Sequence, residues 1–146
     1  MPVISRNLNV LARCGNQFRN EHLKPLGLTA VQAPYILHIC GTPGLSQDKL
    51  ARRLHVNPSN ATRQLAMLEE GGYVRRQPST QDRRLLEVYP LQKALDVCVE
   101  IRRVNALWNA YLTEGMTAPE LVLLEGLLDR LRQRAIAWDE EREDAL

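Results

Sequence analysis

Cysteine is scarce in this chain of 146 residues: Cys14, Cys40 and Cys98 are all it has, an odd number with no CxxC pair. That argues against a secreted disulfide framework. His22, His38 and His55 stand at no metal-ligand spacing from one another or from the cysteines, so no metal site is expected. No GxSxG, HExxH or Walker sequence occurs, and no His/Cys/Asp set lies close together in sequence. We therefore expect no enzyme activity and no cofactor. No apolar run approaches the roughly 18 residues needed to span a bilayer. The opening stretch MPVISRNLNVLARCGNQF has no apolar signal-peptide core. The expectation is a cytoplasmic protein without a membrane partner. An excess of one charge is also missing, the net being only +2.

What is present fits a globular domain with a real core: 45% apolar and 25% charged residues. The charge is unevenly spread. Residues 46–93 hold nine Lys/Arg against five Asp/Glu, whereas residues 117–146 hold four against eight. A basic middle and an acidic end suggest that one part meets a polyanion and the other does not.

Periodicity and breakers give the element order. A helix is predicted over residues 3–23, with Ile4, Leu8, Leu11 and Phe18 on one face, weakened but not ended by Gly15. Lys24-Pro25-Leu26-Gly27 breaks it. Thr29 and Gln32 form a capping-box pattern opening a second helix to about Cys40, with a distortion at Pro34. Ser46 caps a short helix with Leu50, Ala51 and Leu54 inward. Asn57 followed by Pro58 starts a helix over residues 58–70, burying Ala61, Leu65 and Leu68. Gly71-Gly72 stop it. Then comes YVRRQPSTQDRRLLEVYP, two short strands (73–77 and 85–89) around a turn, with Arg75-Arg76 and Arg83-Arg84 on its two sides. A long helix follows from about Leu91, with Leu95, Cys98, Ile101, Val104, Trp108, Tyr111 and Leu112 as its stripe. Gly115 ends it. Thr117 and Glu120 make a second capping box, opening a last helix over residues 118–138, with the tail DEEREDAL solvated.

Two short helices and a basic hairpin make a winged helix-turn-helix. On a helical wheel, the face of helix 58–70 opposite its apolar side carries Ser59, Arg63, Met67 and Glu70, with Asn60 beside them and Thr62 at the flank. Small polar residues and one Arg near a helix N-terminus suit the major groove, where Arg63 can grip a guanine edge or a phosphate. An Arg at a hairpin tip can enter the minor groove. Asp82 stands close enough in sequence to hold Arg84 extended, and a plain turn residue is the alternative role for it.

Residues 26–91 resemble the MarR (multiple antibiotic resistance regulator) family. The matching pieces are Leu28-Thr29 with Gln32, Gly44-Leu45-Ser46-Gln47 with Leu50-Ala51, Ser59 through Arg63, Leu68-Glu69 with Gly72, and Asp82-x-Arg84 with Val88. The chain departs from the family pattern at Pro90-Leu91 in place of Leu-Thr, at Ala94 in place of Gly, and at Pro34. The resemblance implies a mainly α fold: one domain over 1–146, a winged module over 26–91, and dimerisation helices over 3–23 and 91–140. It implies a homodimeric repressor on a palindromic operator in double-stranded DNA. The expected DNA-binding residues are Ser59, Asn60, Thr62, Arg63, Met67, Arg76, Asp82, Arg83 and Arg84. A small aromatic or lipophilic effector would release the operator from a pocket using Leu11, Phe18, Tyr35, His38 and Trp108; core packing is the alternative reading of each. Peroxide-sensing members carry a reactive cysteine in the region of Cys14, but the aromatic neighbours are missing, and a buried, inert thiol is expected there. Cys40 and Cys98 read as structural. A winged module for RNA or protein is the competing class.

Overall fold

The computed structural model describes residues 3–146. They form two compact units, one ending at Trp108 and one running from Asn109 to Leu146, so the division falls inside a helix rather than at an end of the winged module.

In the first unit, α1 (Ile4–Leu23) runs into a 3-10 turn (Lys24–Leu26) that Gly27 closes in the left-handed region, at φ 70°. Ile4, Leu8 and Leu11 lie exposed on α1, while Phe18 and Leu23 face the core. Gly15 is there for space. A Cβ at this position would stand 2.9 Å from Arg19 Nη1 and 3.0 Å from Trp108 Nε1. The missing side chain lets the indole of a later helix lie against α1.

The predicted box at residues 29 and 32 forms, since each backbone N–H bonds the other's side-chain oxygen at 3.2 Å. It does not open the helix directly. A turn intervenes, and α2 (Ala33–Gly41) starts with Gln32 at its N-cap. Pro34 therefore sits in the first turn, where a missing N–H costs nothing. Next come β1 (Leu45–Ser46), α3 (Gln47–Leu54) and α4 (Pro58–Glu70). Ser46 Oγ accepts from Lys49 N, and Asn57 Oδ1 accepts from Ser59 N at 2.9 Å. His55, with φ 53°, makes the left-handed turn between the two helices.

The wing strands are β2 (Val74–Pro78) and β3 (Leu86–Pro90), each one residue later than predicted. The sheet has three strands, ordered β1-β3-β2 and antiparallel, with Leu45 opposite Val88 and Arg76 also opposite Val88 from the other side. The strand at residues 45–46 has no sequence signal, because two residues carry no periodicity. It ties β3 of the wing to the start of α3. Leu91 N bonds Tyr73 O at 2.9 Å and closes the join into α5 (Gln92–Leu112), so Pro90-Leu91 and Ala94 are accommodated. Ala94, Val97, Cys98, Ile101 and Val104 are the buried face of α5. Leu95, Tyr111 and Leu112, which extend the same apolar stripe, are exposed. The buried face follows the spacing 94, 97, 98, 101, 104, so the apolar stripe is wider than what the core covers.

The second unit carries α6 (Ala118–Asp144), opened by the predicted capping box: Thr117 N bonds Glu120 Oε2 at 2.8 Å and Glu120 N bonds Thr117 Oγ1 at 3.3 Å. The helix runs past the predicted end at 138 and takes in most of the acidic tail, where Arg142 pairs with Asp139 at 2.8 Å, one turn apart. None of its residues is buried. Val122, Leu123, Leu127, Leu128, Leu131 and Trp138 are all exposed.

Candidate nucleic-acid interface

Ala61, Leu65 and Leu68 fix the roll of α4 by entering the core completely. Ser59, Asn60, Thr62, Arg63, Met67 and Glu70 are consequently all exposed. Arg63 Nη2 donates to Asn60 Oδ1, and Ser59 Oγ donates to Asn57 Oδ1. Thr62 Oγ1 donates to Pro58 O at 3.0 Å and accepts from Gln47 Nε2 at 2.6 Å. The outer face of α4 is thus a row of polar groups already oriented by neighbours. Met67 lies toward the side of the helix that meets residues 20–32.

At the wing tip, Ser79 N bonds Leu85 O at 2.8 Å and Leu85 N bonds Asp82 O at 3.0 Å, which brings residues 79–85 into a tight turn. Ser79 is buried there, and its Oγ accepts from Gln81 N at 3.2 Å. Asp82 accepts from the Arg84 backbone N–H and from its Nε and Nη2. These bonds, the side-chain ones first, hold the Asp82 carboxyl below its ordinary range. The Arg84 side chain remains 90% exposed. Arg83 is exposed beside it. Arg75 lies over the Tyr89 ring, 4.4 Å from its centre, and donates to Gln77.

Arg76 differs from the other wing arginines. Its Nη2 meets Glu69 Oε1 at 3.2 Å, its backbone N–H meets Glu69 Oε2 at 2.9 Å, and its Nη1 meets Gln47 Oε1 at 3.2 Å. Its side chain is only 17% exposed. The bond to the Arg76 side chain is the main cause that lowers the Glu69 pKa. Arg76 therefore straps the wing strand to α4 and α3. Nothing in the sequence marks Gln47 and Glu69 for this role. Their spacing from Arg76, 29 and seven positions, holds no local signal.

The five residues expected to line an effector pocket stand in different surroundings in the single chain. Tyr35 is 2% exposed and belongs to the core, whereas Leu11 is exposed on α1. Phe18 packs on His22 at 4.0 Å and on Trp108 at 5.1 Å between ring centres, and His38 is half-buried on α2. A different cleft, of about 480 Å³, is lined by Asn20, Lys24, Leu28, Thr29, Val31, Gln32, Gln64 and Met67. It lies between the end of α1, the start of α2 and the flank of α4. Gln64 Oε1 is buried there with no hydrogen-bond partner among the described residues.

Cys14 is exposed, contrary to the buried thiol expected, because the α1 face that carries it is not covered by the first unit's core. Cys98 is buried. The Cys40 thiol is pushed up to about 12, by burial first and by the neighbouring Cys98 thiol second. Among the described residues, no group of three or more His, Cys, Asp or Glu could hold a metal ion, and no helix is long and apolar enough to cross a membrane.

Residues 26–85 match the family model described as MarR family. A Bacillus subtilis (strain 168) protein described as an uncharacterized HTH-type transcriptional regulator, YybA, is 29% identical over 130 residues, which is 89% of this chain and 87% of that protein. The crystal structure of the transcriptional regulator SlyA superposes with a TM-score of 0.91 at 29% identity, covering 95% of this chain and 98% of that one. A MarR family transcriptional regulator from Listeria monocytogenes, crystallised in complex with 26mer DNA, has a TM-score of 0.91 at 25% identity, covering 99% of this chain and 96% of that one.

Proposed function

We propose, from the premise that this chain belongs to the MarR family of winged helix-turn-helix transcriptional regulators, that it reads a palindromic operator as a homodimer. It is a DNA-binding regulator. In our reading, α4 enters the major groove with Ser59, Asn60, Thr62 and Arg63, while Arg83 and Arg84 of the wing reach an adjacent minor groove. The observation that carries this is Arg84: a cation held by Asp82 yet 90% exposed, at the tip of a turn anchored to the reading helix. Asp82 and Arg76 are positioning residues in this reading, and Met67 borders the cleft.

Dimerisation is supported by the exposed apolar residues. Ile4, Leu8 and Leu11 on α1, and the leucines of α6, give each unit an uncovered apolar face of a kind that marks an interaction surface. A twofold pair presents two α4 helices to half-sites about one helical turn, ~10 bp, apart. Repression in the cytoplasm, with release by an amphipathic effector, completes the proposal. The cleft of about 480 Å³ is the seat we favour. An occupant there touches Gln64 and Met67 of α4 directly, with Lys24 and the unpartnered Gln64 oxygen as polar groups and Leu28 as an apolar one. Differential affinity for two placements of α4 would then couple ligand to operator.

Selection of bound duplexes from a random pool tests the reading. Enrichment of a palindrome, lost steeply as salt rises and not reproduced with double-stranded RNA of the same sequence, supports it. A monomer with no affinity for any duplex at low salt overturns it. A second reading, sensing through a thiol, rests on the exposure of Cys14. Peroxide-induced release in the wild type but not in Cys14→Ser would favour it.

A further inference from the structure

The hydroxyl of Thr62 is more constrained than an exposed hydroxyl usually is. Such a group has one proton to donate and two lone pairs to receive bonds. Here the proton goes to Pro58 O at 3.0 Å, and one lone pair takes the Gln47 Nε2 donor at 2.6 Å. One lone pair and the methyl group remain for an outside partner. Phosphate oxygens only accept, as do guanine O6 and N7, so none of them can bond this hydroxyl in its present state. Adenine N6 and cytosine N4 amino groups donate and can. The methyl of Thr62 also suits the methyl of thymine. An A·T pair carries an amino donor and a methyl together on its major-groove edge, and a C·G pair carries the donor without the methyl.

The state of Thr62 is set from behind. Arg76 has donors only, so the Gln47 oxygen must face its Nη1, at 3.2 Å. That leaves the Gln47 NH₂ pointing at Thr62. Glu69 in turn holds Arg76 by the guanidinium at 3.2 Å and by the backbone N–H at 2.9 Å. The bonds thus run in one direction, from the strand through α3 to the reading face of α4.

We propose that Gln47, oriented by Arg76 and Glu69, sets Thr62 as an acceptor-plus-methyl reader and so selects an A·T pair at one position of each half-site. This rests on α4 being the helix that reads the groove. Selection from random duplexes with the full chain tests it, using the wild type, Gln47→Met and Thr62→Ser, each first shown to unfold at a midpoint close to the wild type's.

The wild type is expected to enrich sites with an A·T pair at a position where Gln47→Met loses the preference. With its lock removed, the hydroxyl can turn and donate to guanine, and discrimination there against G·C should fall by about fivefold or more. The salt slope should not change, since no phosphate contact is lost. Thr62→Ser should keep the amino-group preference and lose the discrimination between A·T and C·G. A Gln47→Met profile identical to the wild type's, or weakened evenly at every position, overturns the proposal and makes the relay merely structural. A wild type that enriches no site at all instead overturns the reading role of α4.

Discussion

Asp82 and Arg84 make a two-pronged ion pair, with Oδ1 at 3.1 Å from Nε and Oδ2 at 3.2 Å from Nη2, and Oδ1 takes the Arg84 backbone N–H as well. The carboxylate fixes the direction of the arginine without covering it. Lone surface ion pairs add little to stability. The value of this one lies in presenting a cation in a fixed pose. Arg84→Ala is therefore expected to weaken binding to all duplexes alike and to lower the slope of log affinity against log salt by about one. Asp82→Asn should keep that slope and lose affinity through the freed side chain. Titrations at several salt concentrations measure both, and an unchanged affinity for Arg84→Ala would remove the wing from the interface.

The strap between Glu69 and Arg76 predicts a dependence on pH. The Arg76 side-chain bond holds the Glu69 carboxyl below its ordinary 4.5. Around that pH the unfolded chain binds the proton more readily than the folded one, so the contribution is present above the ordinary value and fades as pH falls through the lowered one. Glu69→Gln should flatten the fall of the thermal midpoint below about pH 4.5 and leave it alone near neutrality in shape. Parallel acid limbs for the two proteins would show that the pair contributes nothing.

Gly15 is expected to tolerate no large side chain. Its missing Cβ would stand 3.0 Å from the Trp108 indole nitrogen, and a ring gives way less readily than the Arg19 chain end at 2.9 Å. Gly15→Leu should cost about 1–3 kcal/mol by overpacking. Gly15→Ala should cost less, since its single methyl asks the Arg19 tip to move and the indole to give only slightly, and alanine favours the helix. Denaturant titration of the two variants separates them, and equal stabilities would show that the helices are not held at this distance.

Charge placed on the uncovered apolar faces should dissociate the proposed dimer. Leu8→Asp on α1 and Leu127→Asp on α6 remove exposed leucines that no described core needs. Each should shift the mass measured by light scattering toward a single subunit and weaken operator binding, with helix content retained. A wild-type mass already equal to one chain would refute the assembly.

Local chemistry carried most of the element order. Asn57-Pro58 and Thr117 with Glu120 start their helices where read, since capping acts within one turn. The roll of α4 was legible too, because Ala61, Leu65 and Leu68 leave only one way to bury it. The exposed outer side of α5 was not, because Leu95 and Tyr111 are apolar and the wheel cannot tell a core from an uncovered face. The pairing of β1 with β3 joins residues 43 positions apart, at Leu45 and Val88, and two-residue strands have no pattern to read. The roles of Arg76 and Gln47 were decided only by the fold. In sequence Arg76 is one of four similar arginines. In space it is the one that the antiparallel register sets beside Glu69 and Gln47, and a charge surrounded by its own chain's acceptors becomes a strut. Sequence alone thus determined which segments form helices and that the middle is basic. The tertiary structure decided which of its cations are left for a partner, because that depends on contacts between residues far apart along the chain.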